Sequence, residues 1–180
     1  MARIPYANEA SSEEIRTLAE TIRAERGGRV LNLYKMLLNS PPVAAGWLQL
    51  LSAIRQQCDL NGRYRELAIL RIAVINDAPY EYSAHVPFAL KEGVSRAQID
   101  GLKSWQSRTL YSDAERALLA YTDAMTQQIH VTDQVFDALR PHFNPRELVE
   151  LTATIAAYNL VSRFLEALKI DAEVEQDVNA

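Results

Sequence analysis

The stretch RELAILRIAVINDAPYEYSAHVPFALKEG, residues 65–93, decides how this chain folds. From Tyr64 to Ile75 the run is almost continuously apolar after its first turn. Its length and its Ala and Leu content favour a buried helix, although Ile69, Ile72, Val74 and Ile75 would also suit a strand. Asn76-Asp77-Ala78-Pro79 punctuates the run. A proline suits the first turn of a new helix, because the amide it lacks would be unpaired there. That next helix runs to about Glu92, and Gly93 closes it.

Working outward, the same signals recur. Ser11-Ser12-Glu13-Glu14 is a capping-box pattern. It opens a helix with Ile15, Leu18, Ala19 and Ile22 at helical spacing, stopped by Gly27-Gly28. A second helix is expected over about Val30 to Asn39, and a third from about Val43 to Cys58 after Pro41-Pro42. Asn61-Gly62 reads as the turn before the central run. Downstream, Ser95 caps a short helix containing Ile99 and Leu102. Ser112-Asp113-Ala114-Glu115 opens another, with Leu118, Tyr121 and Met125. Thr132 or Asp133 caps a helix ending near His142. Asn144-Pro145 starts the last one, which reaches about Ile170 and leaves a polar, frayed tail from Asp171 to Ala180. Only 6 Gly and 7 Pro interrupt 180 residues, which favours long regular elements over a turn-rich β fold. The expected fold class is all-α, a multi-helix bundle forming one domain over 1–180. Its N-terminal helices occupy 1–60, the core motif 61–105 and the C-terminal helices 112–170.

The chain also echoes itself. Arg65-Glu66-Leu67 opens the central helix and Arg146-Glu147-Leu148 the last one, each followed by an alanine-rich apolar stretch. This suggests two pseudo-repeated helical hairpins about a local two-fold axis.

Composition removes whole classes of function. Nineteen basic residues are scattered among 23 acidic ones for a net charge of -4, with no basic stripe, so no nucleic-acid partner is expected. No apolar run approaches the roughly 20 residues that span a bilayer, and MARIPYANEASSEE lacks the apolar core of a secretory signal. The reading is a soluble protein of the cytoplasm with no membrane partner. The single cysteine, Cys58, has no second thiol in the chain to pair with. It reads as a small core residue ending an apolar helix.

Three residues suggest chemistry. Glu66 starts an otherwise apolar helix, where an acid also simply suits the helix dipole. Glu81 and His85 stand four apart, on one face of the next helix. A carboxylate beside an imidazole orients the ring and makes a general acid/base pair, or else a plain surface ion pair. Tyr80 and Tyr82 flank Glu81 and have hydroxyls that suit a substrate carboxylate. Arg71 lies in an apolar stretch, and a buried Arg needs a partner. Glu81 or a bound anion would serve, and Arg163 poses the same question in the last helix. Glu81 and His85 also offer two metal ligands, with a third to come from Glu66 or another chain; zinc usually takes three or four, so metal is the weaker reading. His130 and His142 sit near turns and read as solvent-facing. No cofactor is expected.

The segment from Arg65 through Leu102 resembles the carboxymuconolactone decarboxylase family, which includes the alkylhydroperoxidase D-like proteins. The likeness rests on the Glu-led apolar helix, the Asn-led turn, Tyr80, His85 and Gly93, and continues more loosely through the terminal helix. Thiol-active members of that family carry Cys-x-x-Cys-x-x-x-His, with a glutamate twelve residues before the first cysteine. Laid on this chain, the glutamate falls on Glu66 and the histidine on His85, but the cysteine positions fall on Ala78 and Glu81. A peroxidase dependent on disulfide exchange lacks its reacting groups here, and Cys58 lies on a different expected helix. Tyr80-Glu81-Tyr82 with His85 is similar to the Tyr-Glu-Trp type motif of the decarboxylase-like members.

The resemblance implies cofactor-free decarboxylation or isomerisation of a small carboxylated lactone or related acid. His85, Glu81 and Glu66 would be the catalytic residues, with Tyr80, Tyr82 and Arg71 binding substrate. His85 with Glu81 would deliver the proton, and Glu66 would act as a second acid/base or set the His85 tautomer. The resemblance also implies homo-oligomers, as dimers, trimers or hexamers. Two other readings stay open: an antioxidant peroxidase-like oxidoreductase, and a non-catalytic helical protein that binds a small ligand.

Overall fold

The computed structural model describes residues 1–173. Among these the regular structure is helical throughout. The elements are α1 (Glu13–Glu25), α2 (Asn32–Leu37), α3 (Pro41–Gln56), α4 (Gly62–Ile75), α5 (Pro79–Lys91) and α6 (Arg96–Gly101). A 3-10 turn follows over Leu102–Ser107, then α7 (Asp113–Gln127), α8 (Asp133–Asp137) and α9 (Pro145–Leu168). The chain forms two compact units, one of residues 1–56 with the segment from Leu165 onward, the other of residues 57–164.

In the first unit, α1 starts where Ser12 accepts the Ile15 amide. Ala19 and Ile22 of α1 join Tyr34, Met36 and Leu37 of α2 and Ala44, Trp47, Leu48, Leu51 and Ile54 of α3 among the buried side chains. Arg26 donates to the Tyr34 hydroxyl at 3.0 Å and to Ser52 at 2.9 Å. The polar end segment differs from the frayed tail expected of it. Asp171 accepts from the Ala2 amide and the Tyr6 hydroxyl and pairs with the terminal amine of Met1. The part of that tail from 174 to 180 lies outside the described residues.

The second unit is built around α4. Asn61 caps it by accepting the Arg63 amide, so the helix begins at the residues read as a turn. Eight consecutive residues, Glu66 to Ala73, are buried. A helix apolar all round is one that must be enclosed, and α5, α7 and the 3-10 turn pack against it. Its end is compact: the Ala78 amide reaches back to the Ala73 carbonyl, with Asp77 at φ +50° between them. Pro79 then occupies the first position of α5. Gly93 closes α5 at φ +84°, and Val94 returns its amide to the Ala89 carbonyl, a cap that a side chain at Gly93 would strain.

Several boundaries move. α2 is shorter than expected, and α8 stops at Asp137 rather than near His142. α3 ends at Gln56, so Cys58 lies beyond it and is half-buried rather than a core residue. The echo between Arg65-Glu66-Leu67 and Arg146-Glu147-Leu148 joins residues with different work. Glu147 is the third residue of α9 and exchanges hydrogen bonds with Asn144 as a capping box. Glu66 is the fifth residue of α4, too far along to cap, and turns inward instead.

Candidate active site

α4 and α5 meet along the faces that carry the acids and the histidine. Ala78, just before α5, and Glu81, His85 and Ala89 on it are buried, at spacings of three and four that make one stripe. On α4, Glu66 is 1% exposed and projects toward α5. Nδ1 of His85 lies 2.7 Å from Oε2 of Glu66. This is the dyad of the site, and it joins two helices rather than two positions on one.

That pairing corrects the sequence expectation. His85 is held by Glu66, and Glu81 is not its hydrogen-bond partner. Both carboxyl oxygens of Glu81 are buried without a hydrogen bond, in a residue 1% exposed. Burial alone pushes the Glu81 carboxyl well above the usual carboxylate range, favouring its neutral form. A buried carboxyl with no partner is costly to keep, and such groups gather where function needs them.

The ring of His85 is bracketed by aromatics. Tyr158 of α9 meets it edge-on, with centroids 5.1 Å apart at 87°, and Phe88 lies 5.8 Å away at 50°. Arg65 donates from Nε to the other oxygen of Glu66, at 3.2 Å. A carboxylate can only accept, so Nδ1 carries the proton in the dyad, and in the neutral ring Nε2 then keeps the lone pair. No hydrogen bond to Nε2 is made within the described residues.

The remaining candidates lie elsewhere. Arg71 does not serve Glu81. Nε and Nη2 clasp the two oxygens of Asp123 at 2.5 and 2.9 Å, and Nη1 donates to the Leu102 carbonyl at 2.8 Å. Its donors hold α4, α7 and the 3-10 turn together, where the sequence reading had Arg71 binding substrate. Arg163 bonds the backbone and side chain of Asn159. Tyr82 is half-buried and feels the charges of Asp100 and Arg96 on α6, the neighbours that modify the burial-raised state of its hydroxyl. Tyr80 is half-buried in the first turn of α5. Cys58 is a poor nucleophile, because burial and the nearby Glu150 push its thiol up, away from the thiolate. His130 and His142 are exposed. Among the described residues, no three His, Cys, Asp or Glu side chains gather in a way that would hold a metal ion. No helix there is long and apolar enough to cross a membrane.

Sequence reasoning missed Arg65, Phe88 and Tyr158. Arg65 and Phe88 were within reach, as neighbours of Glu66 in sequence and of His85 by one helical turn. Nothing local to Tyr158 signals that it meets a ring more than seventy residues away.

Comparison with known proteins bears on this arrangement. Residues 41–124 match the model of the carboxymuconolactone decarboxylase family. Over 132 residues the chain is 30% identical to the uncharacterized protein YnjA of Escherichia coli (strain K12), covering 71% of this chain and 68% of that one. The crystal structure of ATU0492 from Agrobacterium tumefaciens superposes with a TM-score of 0.71 at 29% identity, covering 76% of this chain and 94% of that one. Its description gives it an unknown function and suggests antioxidant defence of the AhpD kind. A cysteine-to-alanine variant of the debrominase Bmp8, in complex with 2,3,4-tribromopyrrole, shares the fold with a TM-score of 0.76 at 20% identity. That match covers 97% of this chain and 95% of Bmp8.

Proposed function

The chain belongs to the carboxymuconolactone decarboxylase family, and on that premise we propose that it is a cofactor-free, cytosolic enzyme moving protons on a small carboxylated lactone or related acid. One observation carries the reading: a histidine whose Nδ1 is fixed by a buried glutamate at 2.7 Å, leaving Nε2 to exchange protons. A base oriented in this way is the working part of general acid/base catalysis.

Decarboxylation would proceed in two steps. The bond from carbon to the substrate carboxylate breaks, CO2 leaves, and the electron pair passes to the conjugated lactone carbonyl as an enolate. Nε2 of His85, having first taken the proton of the substrate's carboxylic acid, then delivers it to carbon. Neutral Glu81, on the same buried stripe of α5, can donate to the developing enolate oxygen, which an ionised acid could not do. Glu66 holds the His85 tautomer throughout. Isomerisation of an enol acid uses the same groups, with His85 both taking and returning the proton.

The thiol-peroxidase reading finds less support. Ala78 and Glu81 stand where the family's cysteines stand, and Cys58 has its thiol disfavoured as thiolate. A cytosolic homo-oligomer remains part of the proposal; exposed Val149 and Leu160 on α9 are the kind of apolar surface that association would cover. Light scattering on the purified protein, giving a mass that is a multiple of 20.3 kDa, checks it, and a monomer counts against it.

The function is tested by screening carboxylated lactones and following carboxylate loss by NMR. For the substrate found, His85→Gln should lower kcat by about 10²-fold or more, the usual worth of a positioned acid/base. Full turnover in that variant would sink the proposal. Saturable binding of the same compounds without turnover would favour a ligand-binding protein instead.

A further inference from the structure

Four glutamates are buried among the described residues of the second unit: Glu66, Glu81, Glu115 and Glu150. Three of them are engaged. Glu66 meets His85 and Arg65, Glu115 meets Arg63, and Glu150 accepts the Leu60 amide and pairs with Arg146. Glu81 is the exception. It is 1% exposed, and neither of its oxygens bonds a side chain or backbone group among the described residues. Burial alone pushes its carboxyl up, with no charged group acting on it. It lies one turn before His85, on the same buried stripe of α5. The two oxygens of a protonated carboxyl differ, since the O–H donates and the C=O accepts. Both are open to a ligand.

We propose that Glu81 is a two-point recognition site for a neutral ring amide: its O–H donates to the carbonyl of a lactam, and its C=O accepts the lactam N–H. The inference rests on the acid/base reading above for placing the substrate beside His85. It narrows the ring of that substrate to a carboxylated lactam. Charge and hydrogen bonding select the group. An anion against Glu81 would leave a buried negative charge with no cation to compensate it. A cation would take Glu81 as the carboxylate, and both charges would leave water for a pair that only excellent geometry offsets. A neutral group avoids both costs. A lactone satisfies the O–H alone, and the C=O of Glu81 then faces the ring oxygen, acceptor against acceptor. A small lactam ring enforces the cis amide, which sets N–H beside C=O and meets both oxygens of Glu81 in one plane.

The probes are three five-membered rings of one shape: γ-butyrolactam, γ-butyrolactone and the corresponding protonated cyclic amidine. The first presents N–H beside C=O, the second two acceptors, the third two N–H donors and a positive charge. Each is titrated by NMR against the full chain at neutral pH. The lactam should bind about tenfold more tightly than the lactone, because it adds a hydrogen bond to a buried acceptor. It should also bind more tightly than the amidine. Glu81→Gln keeps a donor and an acceptor and should keep this order. Glu81→Leu has neither and should bind lactam and lactone alike. Equal affinity for lactam and lactone in the wild type overturns the proposal, as does tighter binding of the amidine or no saturable binding of the lactam. So does a lactam preference that survives in Glu81→Leu or is lost in Glu81→Gln. Each comparison is made between ligands on one protein, and the wild-type series stands even where a variant does not fold. A lactam preference without turnover of any carboxylated ring would sink the catalytic reading and leave the role of Glu81 in place. Turnover of a carboxylated lactone with no lactam preference would do the reverse.

Discussion

Glu81 shows at the level of one residue how burial without a partner becomes a property that can be measured. Its carboxyl is displaced upward in the folded state by burial, from an ordinary value of 4.5. The folded protein therefore holds this proton where the unfolded chain has lost it. The sign follows: stability associated with Glu81 is intact below about pH 4.5 and declines as pH rises toward the folded value. Glu81→Gln has no proton to lose. Its melting temperature should match the wild type near pH 4 and exceed it near pH 8 by several degrees, at roughly 2–4 °C per kcal/mol for a domain of this size. Equal melting temperatures at both pH values would mean that the carboxyl finds a partner in solution. Cys58 supplies the contrasting case. Half-buried and held as the thiol, it has no step to perform, and Cys58→Ser should leave turnover unchanged.

Among elements, the ones best specified locally are those with complete caps. Ser112 accepts the Glu115 amide, and Glu115 returns a bond to the Ser112 amide at 2.8 Å. Glu115 also pairs with Arg63 of α4 at 2.7 Å, so this cap ties α7 to the central helix. Ser112→Ala should lower unfolding stability by about 1 kcal/mol, read from urea denaturation, with activity retained. α5 is the opposite case. Pro87 lies inside it and removes one backbone hydrogen bond, yet the helix runs unbroken from Pro79 to Lys91. Its conformation is held by what its buried stripe packs against, and a local reading of the proline alone would have ended the helix early.

For the molecule as a whole, Asp123 is the acid that ties α7 to α4 and the 3-10 turn. It receives Nε and Nη2 of Arg71, the indole N–H of Trp105 at 3.0 Å and the Gln106 amide at 3.2 Å. Asp123→Ala would strand a guanidinium whose side chain is 7% exposed, at about 3 kcal/mol of lost stability in urea. Adding Arg71→Met should recover part of that loss, because no charge is then left buried. These contacts also mark what the amino-acid order settles by itself. Capping residues, glycine and proline stops and the all-round apolar run fix where helices begin, end and hide, because those effects act within a turn or two. They place Glu66 and His85 on consecutive helices and remove the thiols from the positions where the family carries them. Spacing along one helix, however, paired His85 with Glu81 and left Arg71 looking for an anion. The packing of α4 against α5 and α7 gave His85 to Glu66 and Arg71 to Asp123, the approach of Tyr158 on α9 closed the other side of the ring, and Glu81 was left alone. Which side chains meet across helices depends on how the axes approach and rotate, and only the tertiary structure decides that.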